Sequence, residues 1–163
     1  MEKLKQKREV VGFDEAKKIG VLYDATDSSN FEIMKAYVKN IRSQQKEILA
    51  LGYVDKKELP SNQYAQYGLD FFTRKHLDWK MIPHHIIVQN FIAEKFDILI
   101  NLNNNSCFPL RYIAALSQAR FRVGRFDRRN LMCYEMMIDT KGETGMKTII
   151  EEMEGYLRKI KST

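Results

Sequence analysis

Two polar turns carry the residue types that could do chemistry. The first is Asp24-Ala-Thr-Asp-Ser-Ser-Asn30. Its Asp24 and Asp27, beside Thr26 and Ser28, could hold Mg²⁺ or act as acid and base. Phosphate at such a turn needs glycines, so that backbone N–H groups can approach. This turn has none, and its two carboxylates would repel phosphate, which argues against a P-loop or a dinucleotide fingerprint. The second turn is Asn103-Asn104-Asn105-Ser106, followed by Cys107. Its amides and hydroxyl suit a sugar or a nucleobase. Cys107 as a nucleophile would need a positioned base, and no histidine lies near it in sequence. Aspartate, asparagine and serine also cap helices, close Asx turns and tolerate left-handed backbone. Turn-building is therefore the competing reading for both segments.

The third group is basic. Arg111, Arg120, Arg122, Arg125, Arg128 and Arg129 cluster late in the chain, interleaved with Phe121 and Phe126. Guanidinium forks match phosphate oxygens. On a strand, Arg120 and Arg122 share a side and Arg125 takes the other. The pattern suits an anionic partner such as RNA; Asp127, Glu135 and Asp139 offer instead an ion-paired edge. Read as an exposed basic face, it predicts that reversing Arg122 and Arg125 to Glu leaves folding nearly intact. His84 and His85 are adjacent and His76 is separate, whereas metal ligands on a helix favour i and i+4. Cys107 and Cys133 form no C-x-x-C pair. No metal and no cofactor is expected.

These residues need elements to place them. Apolar runs predict strands at Lys18–Asp24, Glu47–Val54, Leu69–Thr73, Phe96–Leu102, Phe121–Phe126 and Met132–Ile138. Helical spacing of Phe31, Met34, Val38 and Ile41 predicts a helix over Phe31–Arg42, capped by Asn30, Ser29 or Ser28. Further helices are expected at His84–Glu94, with Pro83 in its first turn and Ile87, Phe91 and Ile92 inward, and at Leu110–Gln118. The last, Gly145–Lys159, carries Met146, Ile149, Ile150, Met153, Tyr156 and Leu157 at a 3.6 period, continued by Ile160. Residues 55–68 and 76–83 are loops. Strand, polar turn, helix, strand is βαβ grammar. The fold expected is one three-layer, Rossmann-like α/β domain with a mostly parallel sheet of five or six strands. It spans 13–163 behind a solvated basic arm or helix at 1–12. Both polar turns then fall at strand ends, where open parallel sheets bind ligands.

At 163 residues, 44% hydrophobic and 29% charged, the chain suits a single globular domain rather than disorder. Its net charge of +6 permits an anionic partner. The charged start lacks the apolar core of a signal peptide, and no stretch approaches the ~20 apolar residues that span a bilayer. A cytoplasmic protein with reduced thiols and no membrane partner is expected.

Phe96-Asp-Ile-Leu-Ile-Asn-Leu102, followed by Leu110-Arg-Tyr-Ile-Ala-Ala-Leu-Ser-Gln-Ala-Arg-Phe-Arg-Val-Gly-Arg-Phe126, resembles a segment of the amino-terminal half of heptosyltransferases. Those enzymes have the GT-B fold, built from two Rossmann-like halves. The resemblance covers about 30 residues of βαβ pattern. This chain has length for one half, and its first turn lacks the Gly-Asp pair of those enzymes. The resemblance therefore implies the fold and carries over neither the activity nor any catalytic residue. The whole chain also resembles a small family of bacterial proteins of this length with no established activity.

With no complete catalytic constellation, the leading expectation is a non-catalytic binding or accessory module for RNA, the ribosome or another anionic partner. The alternative is a small enzyme, or a half-enzyme pairing with another chain, that acts on a nucleotide or sugar at the strand ends. A pocket lined by Asp24, Asp27, Asn103 and Ser106 would favour it. A third expectation is a homodimer through exposed apolar residues of Met132–Ile138.

Overall fold

The computed structural model describes residues 7–104, 106–130 and 133–163. Six strands are named in chain order: β1 (Lys18–Asp24), β2 (Glu47–Val54), β3 (Leu69–Thr73), β4 (Ile98–Asn101), β5 (Phe121–Arg125) and β6 (Met136–Ile138). They form one sheet in the order β3-β2-β1-β4-β5-β6, and every pairing in it is parallel. Among the described residues, four α-helices cover it: α1 (Ser28–Ser43), α2 (Ile86–Ala93), α3 (Phe108–Leu116) and α4 (Met146–Arg158). This is the three-layer α/β domain that the alternating apolar runs and helical patterns require.

Period-2 alternation sorts the strands onto two cores. Ile19, Val21 and Tyr23 of β1 pack with Phe31, Met34, Val38 and Ile41 of α1 and with Ile149, Ile150, Met153 and Leu157 of α4. Leu22 points the other way, into Leu51, Leu99, Val88 and Phe91 of α2, and Leu110 and Ile113 of α3. A strand covered on both faces reads as a continuous apolar run, which is why β1, β2 and β4 stood out in the sequence.

The ends of elements differ from expectation for local reasons. Asp27, not Asn30, Ser29 or Ser28, caps α1, accepting from Ser29 N–H at 2.9 Å. α3 starts at Phe108, with Pro109 in its first turn. α2 starts only at Ile86, because Pro83 pairs in an isolated antiparallel bridge with Leu77. Val88 and Phe91 are its buried residues, while Ile87 and Ile92 are half-buried. Tyr156 of α4 is half exposed. β6 is shorter than expected, and Leu131 and Met132 lie outside the described residues.

Residues 7–12, the described part of the basic arm, take no helical form. Glu9 N–H donates to the Arg120 carbonyl at 3.0 Å, and Val11 is buried. Gly12 N–H donates to Ser162 Oγ at 2.9 Å and Thr163 N–H to the Val10 carbonyl at 3.2 Å. The arm thus lies along the start of β5 and holds the segment after α4.

Candidate site at the carboxyl ends of β1 and β4

Strand order reverses between β1 and β4: β2 and β3 lie on one side, β5 and β6 on the other. In an open parallel sheet the crevice outside that point is the usual ligand position. The turns after β1 and β4 are the two polar segments singled out above.

After β1, Asp24 Oδ1 accepts from Thr26 N–H at 2.8 Å and the Asp24 carbonyl accepts from Asn30 Nδ2 at 3.0 Å. Thr26 Oγ1 accepts from Asp55 N–H at 2.9 Å, tying this turn to the end of β2. Ser28 opens α1, and Asp27 caps it: its Oδ1 accepts from Ser29 N–H and Oγ–H, which hold its carboxyl below the usual range. Thr26, Asp27 and Ser28 thus build the turn, and Asp24 is half-buried at its start.

After β4, Asn101 is buried. Its Nδ2 donates to the Tyr134 hydroxyl at 2.9 Å and its Oδ1 accepts from Asn103 N–H at 3.0 Å. It braces the turn from inside the fold. Asn104 Oδ1 accepts from Ser106 N–H at 3.2 Å and also from its hydroxyl. Asn105 lies outside the described residues. Cys107 sits at the start of α3, and burial pushes its thiol up to about 11. A thiol so raised carries little thiolate near neutral pH.

Two hollows flank these turns. One, of ≈ 330 Å³, is bounded by Tyr23, Asp24, Asn30, Asn103, Arg125 and Thr144, among others. The second, of ≈ 370 Å³, is bounded by Asp24, Asp55, Met81, Asn104, Ser106 and Phe108, among others. Asp24, Asn103 and Asn104 line both. Sequence reasoning missed Asn30, Asp55, Met81, Arg125 and Thr144 as lining residues, because their approach depends on how the layers close. Asn101 left a signal: an amide inside a run otherwise buried and apolar must have internal partners. The Tyr23 hydroxyl is buried with no hydrogen-bond partner, and burial raises it well above the usual tyrosine range.

The arginines are largely engaged within the protein. Arg120 pairs with Glu9 at 2.7 Å and with Asp97 at 2.8 Å. Arg122, its side chain only 11% exposed, pairs with Glu135 at 2.9 Å and donates to the Ala115 carbonyl at 2.9 Å. Arg125 donates to Thr140 Oγ1 at 2.9 Å and to the Glu143 carbonyl at 2.6 Å. As the alternation predicted, Arg122 reaches the end of α3 while Arg125 reaches the loop before α4. Arg129 pairs with Asp127 at 2.9 Å, and Arg111 lies over the Phe108 ring. Arg128 is exposed. Arg122 and Arg125 are thus not parts of an exposed face, and their reversal to Glu would not leave folding intact.

His76 and His85 come together with ring centroids 4.2 Å apart. His76 Nδ1 accepts from Thr73 N–H at 2.9 Å, and His85 Nδ1 accepts from Ile87 N–H at 3.2 Å. Each ring therefore keeps its proton on Nε2. Among the described residues, no three His, Cys, Asp or Glu side chains gather as a metal site would require, and no helix is long and apolar enough to cross a membrane.

Residues 1–160 match a family of unknown function, DUF6913. The chain belongs to this family. No curated protein and no solved structure matches it. For this DUF6913 member, function has to be argued from the site itself.

Proposed function

We propose that this DUF6913 domain binds a neutral small molecule rich in hydroxyl or amide groups, of the sugar or nucleoside class, at the carboxyl ends of β1 and β4. One observation carries the reading: Asp24, Asn103 and Asn104 stand at the point where strand order reverses and line a hollow on either side. The Asn103 side-chain amide makes no hydrogen bond among the described residues, so its donors and acceptor remain for a ligand. The Asp24 carboxylate accepts hydroxyl donors and repels phosphate. Cys107, with its thiol raised, adds no nucleophile, so the reading is binding rather than catalysis.

The test is a titration of the full chain with hexoses, heptoses and nucleosides, followed by backbone amide NMR shifts. Ligands of this class should move the signals of Asp24, Asn103 and Asn104. Asn103→Leu should weaken binding about tenfold, a change of about 1.4 kcal/mol. If none of these compounds perturbs the three residues at millimolar concentration, the proposal fails.

A second reading keeps the anionic partner, RNA or a ribosomal surface, on the strength of the +6 net charge. With Arg120, Arg122 and Arg125 engaged within the fold, it rests on the exposed Arg128 and Arg129 and on scattered lysines. Phosphate contacts make such binding fall steeply with salt, so RNA affinity at two salt concentrations checks it. The homodimer reading has less apolar surface than expected, since Tyr134 and Ile138 are buried.

A further inference from the structure

Residues 77–83 form a small hairpin outside the sheet. Leu77 and Pro83 form an antiparallel bridge, Asp78 N–H donates to the Ile82 carbonyl at 3.0 Å, and His84 N–H donates to the His76 carbonyl at 3.0 Å. At its tip Trp79 is 86% exposed, and Met81 has φ +65°. A non-glycine residue in that region is strained and stays there only when its surroundings hold it. Met81 also lines the second hollow of the candidate site. The hairpin is therefore part of the rim of that hollow, and the rings of His76 and His85 meet at its base, tilted 52° to each other.

Both rings work only when neutral. Each Nδ1 is a hydrogen-bond acceptor, closing the 3₁₀ turn Arg74–His76 on one side and the first turn of α2 on the other. A proton on Nδ1 turns that acceptor into a donor facing a donor. It would also set two cations side by side and place positive charge at the positive end of α2. The charged groups that act on His76 are His85, His84 and Lys75. None is a carboxylate that would favour the imidazolium. Lys75 is held by Glu58 and Arg74 by Asp55, and α2 offers no charged side chain before Glu94.

We propose that His76 and His85 form an acid-released latch: while both Nδ1 atoms accept their hydrogen bonds the 77–83 hairpin stays against the strand-end site, and protonation of His76 in mildly acidic conditions frees it. As a control on ligand access the proposal rests on the binding function above; as a conformational switch it stands without any ligand. The sign follows from linkage. Burial lowers the His76 pKa, so the open segment binds more protons than the closed one. The latch is then fully closed above the ordinary histidine pKa of about 6.5 and loosens as pH falls through it toward the closed-state value.

The test is NMR on the intact chain. At pH 7.5 the imidazole nitrogen spectra should show His76 and His85 as Nε2–H tautomers. Between pH 7.5 and 5, hydrogen-exchange protection factors at the Thr73 and Ile87 amides should fall at least tenfold, while those in β1 and β4 stay constant. His76→Asn with His85→Asn keeps an acceptor at each δ position and removes the proton. That double variant should hold its protection across the same range. Nδ1–H tautomers at pH 7.5, or protection in the wild type that does not respond to pH, overturns the latch. So does an equal acid response in the double variant. Should the double variant fail to fold, the wild-type tautomers and protection factors decide alone. Because no ligand enters these measurements, the latch and the binding proposal fail separately.

Discussion

Arg122 shows how a residue that looks like a binding group is a structural one. Its guanidinium, almost wholly covered, spans Glu135 on one side and the last carbonyls of α3 on the other. Truncation would leave the Glu135 carboxylate only Arg8 and the backbone N–H of residue 122, and would uncap a helix end. Arg122→Ala should therefore destabilise the domain by about 2–3 kcal/mol, read as a lower urea midpoint at unchanged slope. Arg128→Ala, at an exposed position, should fall within about 0.5 kcal/mol of wild type in the same assay. Cys107 gives a chemical test of the same kind. With its thiol near 11, alkylation by iodoacetamide at pH 8 should run at least about tenfold slower than for an unperturbed thiol, whose pKa is about 8.5. A rate equal to that of free cysteine would contradict the buried environment.

At the scale of elements, glycines in strands mark where neighbouring side chains cross. Gly52 of β2 lies opposite Tyr23 of β1. A Cβ there would stand 2.7 Å from Ala25 Cβ and 2.9 Å from Tyr23 Cζ. Gly52→Ala should cost about 1–3 kcal/mol through displacement of the ring and of the turn after β1, visible as a lower melting temperature. Gly124 likewise lies under the Tyr134 ring, 2.6 Å from an added Cβ, and that ring receives the Asn101 hydrogen bond at the candidate site. The bounds of β1, β2 and β3 were legible because each is an apolar run closed by polar or turn residues. The end of β4 and the start of α2 were not. Asn101 donates to the distant Tyr134, and His84 N–H reaches across a loop to the His76 carbonyl; a one-dimensional pattern does not encode those partners. The arginines misled for the same reason. Their side of the strand and their pairs with Glu135 and Asp127 could be read, but not that Thr140 and the end of α3 would receive them.

At the scale of the molecule, both faces of the sheet are buried, so its centre tolerates no charge. Ile100 in β4 is 2% exposed. Ile100→Asp should remove about 3–5 kcal/mol of a stability of about 5–15 kcal/mol, and should lower the melting temperature by about 6 °C or more. A variant that melts within a few degrees of wild type would count against β4 as a central strand. The two halves of the candidate site depend on this rigidity, since one turn follows β1, the other follows β4, and the two strands are hydrogen-bonded neighbours. The parallel arrangement also sets the two ends of the strands apart in role. The arm at residues 9–12 and residues 162 and 163 are joined by hydrogen bonds beside the start of β5, at the amino end of the strands, away from both polar turns. A tether at Thr163 would hold the molecule by its back. On a sensor chip or an affinity resin, every copy would then present the crevice to the passing solution, and a weak small-molecule partner could be sought by flow without the support obstructing its approach.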